Sequence, residues 1–381
     1  MKNKVFLNKV YEKYNNIDEV YKDDNFLETN FIKENRKSIK NKYIMLILVM
    51  VMVISGSIYA AIKIGQKVQI VPNTNEVNVI NENDIWIGSF KLAWDELGRF
   101  IGREVVFEQE SKFVNSLNSS KFNKNELSSD DYYLKVGYST KKLGKEIIDE
   151  VKDKYDQVPS IDLNNYNPYT KGITVYSIIN KEFTFKNKFD TLLGATFGNS
   201  ISKYKYFGID TKSDSKLKDM VSVLFYNDNN DFAIQIDTNE GEKLVFYRTD
   251  INSSFDEAYS RVNKESEKYT GSRKLNKYDE VKIPFLSLSG MVKYNELSGK
   301  TIVGTKGLYI KEAIQQVEFN LNERGGNLKS EAGVATVWLS ANIYGKKYYF
   351  NDNFILFMVE QDKETPYMCL NVENTDILVE D

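Results

Sequence analysis

Two apolar runs near the C-terminus, separated by small residues and a loop, decide how this chain folds. The first run is Leu308-Tyr-Ile-Lys-Glu-Ala-Ile-Gln-Gln-Val-Glu-Phe-Asn-Leu-Asn-Glu323, and a stretch of small residues, Glu331-Ala-Gly-Val-Ala-Thr336, follows it. The second run is Phe350-Asn-Asp-Asn-Phe-Ile-Leu-Phe-Met-Val-Glu-Gln-Asp362, followed by Thr365-Pro-Tyr-Met-Cys-Leu-Asn-Val-Glu-Asn374. Their β-branched and aromatic residues predict strands, with an exposed loop before residue 350.

This order resembles the C-terminal third of the serpins, the serine-protease-inhibitor fold. A serpin strand ends in a motif close to Asn-Glu-x-Gly, which Asn322-Glu323-Arg324-Gly325 matches. A hinge of small residues comes next in that family, and this chain has a similar stretch at Ser330, Glu331, Ala332, Gly333, Val334, Ala335 and Thr336. The resemblance extends to Lys282-Ile-Pro-Phe-Leu-Ser-Leu-Ser-Gly290, Glu296-Leu-Ser-Gly299 and Asn353-Phe-Ile-Leu-Phe357. It covers about the last hundred residues and rests on order and spacing.

The resemblance implies a reduced serpin-like α+β fold of mainly antiparallel sheets with flanking helices over residues 85–381. It also implies a protein that binds a protease or another protein and has no catalytic residues and no cofactor of its own. In serpins a protease cuts an exposed bait loop, and the hinge then inserts into the central sheet as a new strand. The expected bait bond is Asn342-Ile343 or Ile343-Tyr344. Lys346 and Lys347 are either further cleavage sites or solvated charges.

Three departures from the family pattern favour loss of rapid insertion. Gly326-Asn-Leu-Lys329 is an insertion ahead of the hinge, and its lysine is costly to bury. No segment like Asn-x-x-x-Ser-Pro-x-Ser, which helps serpin sheets open, occurs between Arg103 and Lys135. A helix is also missing between Gly290 and Tyr294.

The composition excludes several kinds of catalysis. The chain has no His, which removes Ser-His-Asp catalysis and histidine metal sites, so we expect neither an enzyme nor a metal protein. Asp228-Asn-Asn-Asp231 lacks the ligand order of a calcium loop and predicts a hairpin turn. No basic stripe indicates nucleic-acid binding. The lone Cys369 excludes an intramolecular disulfide, which favours a bacterial surface protein over a eukaryotic secreted one.

An uncharged run from Tyr43 to Ile62 predicts one transmembrane helix within residues 43–64. Five cations crowd its N-terminal side: Lys33, Arg36, Lys37, Lys40 and Lys42. The positive-inside rule therefore places residues 1–42 in the cytoplasm and the C-terminal domain outside the cell membrane, with a single pass. A cleaved signal peptide does not fit, because forty residues precede the apolar run. Residues 65–84 are polar and predict a stalk.

The cytoplasmic residues 1–42 have a helical apolar face, formed by Phe6, Val10, Tyr14, Ile17 and Tyr21. This face either binds a cytoplasmic regulator or simply leads into the membrane. Two functions therefore stay open. The chain is either a membrane-anchored, extracytoplasmic serpin-like protein, inhibitory or non-inhibitory, or a transmembrane signalling protein whose cytoplasmic segment holds a regulator, as an anti-sigma factor does.

Periodicity predicts the remaining elements. Apolar residues at helical spacing predict helices over residues 85–101, 143–155 and 255–269. Strands are expected at 132–138, 172–179, 203–209, 220–226, 232–236 and 243–247. Short turns between several of these strands indicate antiparallel pairing.

Overall fold

The structure is a computed structural model that describes residues 68–78, 80, 82–159, 161–162, 171–326 and 345–381. The predicted cytoplasmic segment 1–42, transmembrane helix 43–64, hinge 330–336 and bait residues Asn342, Ile343 and Tyr344 lie outside these ranges. Within the described ranges, no helix combines the length and the apolar character needed to cross a membrane.

A seven-stranded sheet joins the middle of the chain to its C-terminus. Its order is β1 (Gln69–Ile70), β2 (Asp84–Ile87), β17 (Met368–Val372), β16 (Phe354–Glu360), β10 (Glu242–Arg248), β9 (Asp231–Asp237) and β8 (Val221–Asp228). Only the β1–β2 pair among them is parallel. The β8–β9 connection is the tight hairpin predicted at Asp228–Asp231.

A four-stranded sheet has the order β15 (Lys347–Tyr349), β11 (Glu280–Pro284), β7 (Tyr204–Ile209) and β6 (Asp190–Ala195). The pairing of β15 with β11 is parallel, and the other two pairings are antiparallel.

A six-stranded sheet contains the longest strand of the described chain. Its order is β3 (Tyr132–Tyr138), β4 (Gly172–Ile179), β13 (Tyr309–Asn322), β14 (Gly325–Gly326) and β5 (Phe183–Thr184), and β12 (Leu286–Lys293) pairs with the other edge of β13. The β4–β13 pairing is parallel and all the others are antiparallel. The sheets are therefore mainly antiparallel, as predicted, with three parallel exceptions.

The helices flank the sheets: α1 (Gly88–Ile101), α2 (Lys112–Ser119), α3 (Lys141–Tyr155), α4 (Ser215–Lys218) and α5 (Phe255–Lys268), with a 3₁₀ turn at Thr375–Ile377. Local chemistry fixes their ends. The Thr140 hydroxyl accepts a hydrogen bond from Leu143 N at the start of α3, and Ser254 with Glu257 forms a capping box at the start of α5. Gly102 ends α1 in the left-handed conformation, which glycine adopts without steric cost.

The six-stranded sheet is covered on both faces. On one face Ile173 and Val175 of β4 and Ala313 of β13 pack with Phe90 and Trp94 of α1. Residues of α3 cover the other face, where they meet Tyr176, Ile178 and Ile314. Burial on both faces explains the continuous apolar run of β4 and the dense apolar pattern of β13.

The N-terminal boundary of this domain differs from the prediction. Residues 65–84 were expected to form a stalk, but Gln69–Ile70 forms strand β1, Val71 is buried, and the Asn73 side chain donates to the carbonyl of Ser116 at 2.9 Å. The short run Val68-Gln-Ile-Val71 alternates enough to pair with a strand, which a composition-based assignment overlooks.

Two further elements depart from the periodicity. The helix predicted over residues 85–101 begins only at Gly88, because Asp84–Ile87 pairs with β17 as strand β2. Helix α2 lies in a Ser-, Asn- and Lys-rich region where the sequence predicted no element, and a hydrogen bond from Val114 N to the Ser111 hydroxyl caps it.

Asn83 joins the start of the domain to its C-terminal strands, and this predicts a large effect of its truncation. It is buried, its amide donates to Asn374 Oδ1 at 2.6 Å, and its oxygen accepts from Glu373 N and Asn374 N. Asn83→Ala removes three hydrogen bonds and leaves their half-buried partners without this residue, so we expect the free energy of unfolding to fall by about 2 kcal/mol in urea titrations. Glu82→Ala removes the exposed neighbour and should change it by less than about 0.5 kcal/mol; equal effects would contradict this role.

Candidate functional site: the seam between β4 and β13

The candidate site is the seam between the parallel strands β4 and β13. Their register runs from Gly172 opposite Tyr309 to Ile178 opposite Gln316. Beyond that point the chain of β4 turns away and resumes as β5. There β14 fills the space between β13 and β5, with Gly326 opposite both Leu321 and Phe183. The segment that leads towards the predicted hinge has therefore already entered the sheet at one end of the seam.

Two glycines make this placement sterically feasible. Gly325 has φ of 141°, and a Cβ there would overlap the carbonyl oxygen of Phe183. A Cβ on Gly326 would overlap the Phe183 ring, which is fully buried. This close approach is the physical reason for the glycine in the Asn-Glu-x-Gly pattern, and for a second glycine after it.

A tight turn at Glu323 and Arg324 carries the chain from β13 into β14. Phe189 N donates to the carbonyl of Glu323, and Phe185 N donates to that of Arg324, both at 2.9 Å. The Glu323 carboxylate is 1% exposed and lacks a hydrogen bond, although Lys188 Nζ lies 3.5 Å away and Arg324 Nε 3.7 Å away. A buried carboxylate with only long ion pairs is costly, so the turn depends on its backbone contacts.

A buried polar cluster lies on the inner face of the seam. Gln315 of β13 donates to the Ser89 hydroxyl of α1 at 2.9 Å and accepts from the Tyr294 hydroxyl at 2.6 Å. Opposite Gln315 across the seam is Ser177, which is buried and whose hydroxyl has no hydrogen-bond partner among the described residues. Burial raises the pKa of Tyr294 well above its ordinary value, so its hydroxyl stays a donor. Moving β13 away from β4 disturbs this cluster.

The sequence has no segment like the serpin sheet-opening motif after the first helix, between Arg103 and Lys135. The structure places buried polar contacts to the seam at the beginning of that helix, where Ser89 follows Gly88. Gln315, a polar residue within the apolar pattern of β13, is the sequence feature that could have indicated these contacts.

The outer face of the seam is covered by α3. Ile147 and Val151 of α3 pack in one cluster with Tyr176 of β4 and Ile314 of β13, so this helix spans both sides of the seam. Glu150 of α3 is also tied to β3, since its carboxylate accepts from Tyr133 and Lys135. Any widening of the seam therefore requires α3 to shift.

A buried ionic network supports the bend between β4 and β5. The ammonium of Lys181 contacts the carboxylates of Asp131, Glu242 and Glu360, two of which belong to the seven-stranded sheet. The ring of Tyr367, which is fully buried, lies 5.7 Å from the same ammonium. Three carboxylates thus share one cation. Burial and the nearby Glu360 raise the pKa of Asp131 above its ordinary value, although Lys181 opposes that shift.

The chain returns from residues 327–344 at a second anchored point. Lys346 N donates to Asp279 Oδ1 at 2.8 Å, and Lys346 Nζ donates to the Tyr269 hydroxyl at 3.0 Å and lies 4.7 Å from the centre of the Tyr226 ring. Lys347 begins β15, opposite Glu280. Both lysines therefore belong to the anchored base of the loop, because a tyrosine cluster and strand pairing hold them.

The site is thus a seam with one anchored end of residues 327–344 at Gly326 and the other at Gly345. A Cβ on Gly345 would overlap the carbonyl oxygen of Tyr278, so this second anchor also depends on a glycine. The described residues hold no group of three or more Cys, Asp or Glu side chains that suits a metal ion. Along the seam β4 and β13 pair with each other from Gly172 to Ile178, so a further strand enters it only by separating them.

Because Asp131 belongs to the Lys181 network that supports the seam, the raised pKa of Asp131 makes the stability of the domain depend on pH. Its pKa is higher in the folded chain than in the unfolded chain, so the folded state binds the proton more tightly. Below the ordinary aspartate pKa, proton binding to Asp131 makes its full contribution to the free energy of unfolding. This contribution is lost as pH rises through the raised pKa of Asp131 in the folded chain. We expect Asp131→Asn to flatten this part of the curve of unfolding free energy against pH, measured by urea titration from pH 4 to 8. Asp130→Asn, at an exposed neighbour, should leave the curve unchanged, and a parallel shift for both variants would contradict the assignment.

Comparison with known proteins returns serpin structures. No family model matches the sequence, and no curated protein matches it. Serpin48, a highly specific serpin of the insect Tenebrio molitor, is similar over 82% of this chain and 96% of its own, with a TM-score of 0.47 and 12% identity. Human thyroxine-binding globulin with thyroxine covers 78% of this chain and 74% of its own, with a TM-score of 0.42 and 13% identity. A serpin of the trematode Schistosoma haematobium covers 79% and 76%, with a TM-score of 0.40 and 16% identity. The chain resembles serpins over about four-fifths of its length, at low sequence identity.

Proposed function

We propose that this chain presents residues 327–344 as bait to a serine protease and takes the cut segment into the β4–β13 seam as an additional strand. The observation that carries the proposal is the position of β14, where Gly325 and Gly326 already lie between β13 and β5. A strand that continued from Gly326 along β13 would separate β13 from β4.

If the pairing observed between β14 and β13 continues beyond Gly326, it determines which face of the sheet each residue of the inserted strand lies on. Gly326 lies opposite Leu321, so each later residue would lie opposite a residue one step earlier in β13. Ala332 would then lie opposite Gln315, on the inner face beside α1. Up to the irregularity of β13 at Lys311, the residues that share this inner face are Leu328, Ser330, Ala332 and Val334. All are uncharged, as burial requires.

The same register places the charged residues on the outer face, beside α3. Lys329 and Glu331 would point to that side, where a long side chain reaches solvent more easily than in the core. The insertion at residues 326–329 therefore fits the seam in this register, although the sequence alone suggested an obstacle. Side chains of a β-strand point alternately to its two faces, so uncharged residues on one face and charged residues on the other support insertion of this segment as a strand.

The two anchors make insertion depend on cleavage. From Leu321 to Tyr309 the seam is about 40 Å long, and Trp338 is the residue that would reach its far end. Gly345 and Lys346 are held near Tyr278 and Asp279, so an intact loop has to leave that anchor to insert fully. Cutting Asn342-Ile343 or Ile343-Tyr344 frees the strand while leaving the second anchor in place.

The sequence supports the rest of the proposal. Residues 43–64 anchor the chain in the cell membrane, and the bait acts on an extracytoplasmic protease. Should the cut strand stay out of the seam, the chain is a non-inhibitory relative that only binds its partner. The alternative role of residues 1–42 in holding a cytoplasmic regulator stays a prediction, because those residues lie outside the described ranges.

A pair of variants one residue apart tests insertion. Ala332→Arg places a charge on the inner face opposite Gln315, whereas Glu331→Arg keeps a charge on the outer face opposite Gln316, which is partly exposed. With chymotrypsin, elastase and subtilisin each mixed with the full-length protein, we expect wild type and Glu331→Arg to form SDS-resistant complexes with the protease that cuts the loop. For Ala332→Arg we expect cleavage with at least about tenfold less complex, because insertion would bury an unpaired charge.

Both variants need the same starting stability, measured by thermal unfolding of the uncut proteins. Equal complex formation by the two arginine variants would contradict the register. Clean cleavage of wild type by every protease, with no complex, would contradict inhibition and leave the non-inhibitory role.

A further inference from the structure

A second site, separate from the seam, lies between the edges of two sheets. A cleft of about 530 Å³ runs along β12 and opens towards β1. Its apolar wall is formed by Ile70 of β1, Phe113 of α2, Leu288 of β12 and Val317 of β13. A cleft of this volume accommodates several side chains.

The outer edge of β12 presents unpaired backbone groups to this side. Tyr294 N donates to the carbonyl of Ala313, in register with the β12–β13 pairing, so the even-numbered residues of β12 direct their backbone groups to β13. The N–H and C=O groups of Ser289 and Met291 consequently point away from β13. Apart from a bridge between Leu286 and Leu378, no strand of the described chain pairs with this edge.

Except at its end, where Lys293 is charged and exposed, the edge also lacks the features that usually protect a free strand. Between Ser287 and Val292 it contains no proline and no charged residue. Across the cleft, Gln69 N and Val71 N donate to the carbonyls of Asn83 and Ile85. The backbone of Ile70 accordingly faces away from β2, so the cleft lies between two strands whose facing edges pair with no other strand of the described residues.

The backbone groups of Ser289 and Met291 that point away from β13 favour one class of ligand over another. An apolar small molecule or an acyl chain in the cleft would remove water from the backbone of Ser289 and Met291 without replacing its hydrogen bonds, which is costly. An extended peptide supplies both donors and acceptors at the right spacing, and alternate side chains enter the apolar space.

We propose that this cleft binds an extended segment of a partner protein, which adds to β12 as an edge strand. The segment pairs with Ser289 to Lys293, about 17 Å of chain. It carries apolar residues at alternate positions, which pack against Ile70, Phe113 and Val317. The site is independent of the bait segment and of its insertion.

The test uses a displayed library of random dodecapeptides, selected on the full-length protein in detergent. The key variants share one position. Ser289→Pro removes an N–H that faces the cleft and makes no bond to β13, whereas Ser289→Ala keeps that N–H. We expect enriched peptides to alternate apolar and polar residues, to bind wild type and Ser289→Ala equally, and to bind Ser289→Pro at least tenfold more weakly.

N-methylated versions of one enriched peptide provide a control on the ligand side. Methylation of the amides that face β12 should abolish binding, and methylation of the intervening amides should not. Enrichment of no alternating peptide, or equal binding by the Pro and Ala variants, would overturn the proposal. Concentration-dependent self-association of wild type that is lost in Ser289→Pro would also overturn it, since a second copy would then be the occupant.

Discussion

The parallel hydrogen bonding between β4 and β13 is the constraint on which the rest of this structure depends. Parallel neighbours cannot be joined by a short turn, so the chain travels through two other sheets between Ile179 and Tyr309. In the proposed insertion these two strands separate, and a third strand, antiparallel to both, occupies the space between them. Gly325 and Gly326 show that occupation at one end, where they separate β13 from β5.

The two faces of the seam have different chemistry, and the register proposed for the bait segment suits both. The inner face packs on α1 and contains the polar cluster of Gln315 and Ser89. The outer face is covered by α3, which contacts residues on both sides of the seam. A strand with uncharged residues on one side and Lys329 and Glu331 on the other suits this asymmetry. The Lys181 network supports the bend between β4 and β5, where the inserted glycines pack.

Local patterns predicted most of the elements. Strands β3 and β4 have the predicted bounds, and α3 and α5 lie within two residues of theirs, because apolar periodicity alone defines such elements. The parallel register of β4 with β13 was not accessible, since it is set by packing between distant residues. The contacts of Lys346 with Asp279, Tyr269 and Tyr226 were not accessible for the same reason, since none of these residues is its neighbour in sequence. The buried role of Gln315 and the packing of β1 likewise depend on tertiary contacts.

Thermal unfolding of the full-length protein, before and after a single cut between residues 337 and 344, tests the central claim most directly. Insertion of the cut segment buries several apolar side chains and completes a row of backbone hydrogen bonds, so the account predicts a rise in Tm of about 10 °C or more. An unchanged or lower Tm after complete cleavage would contradict it, because the seam would then have stayed closed to the strand.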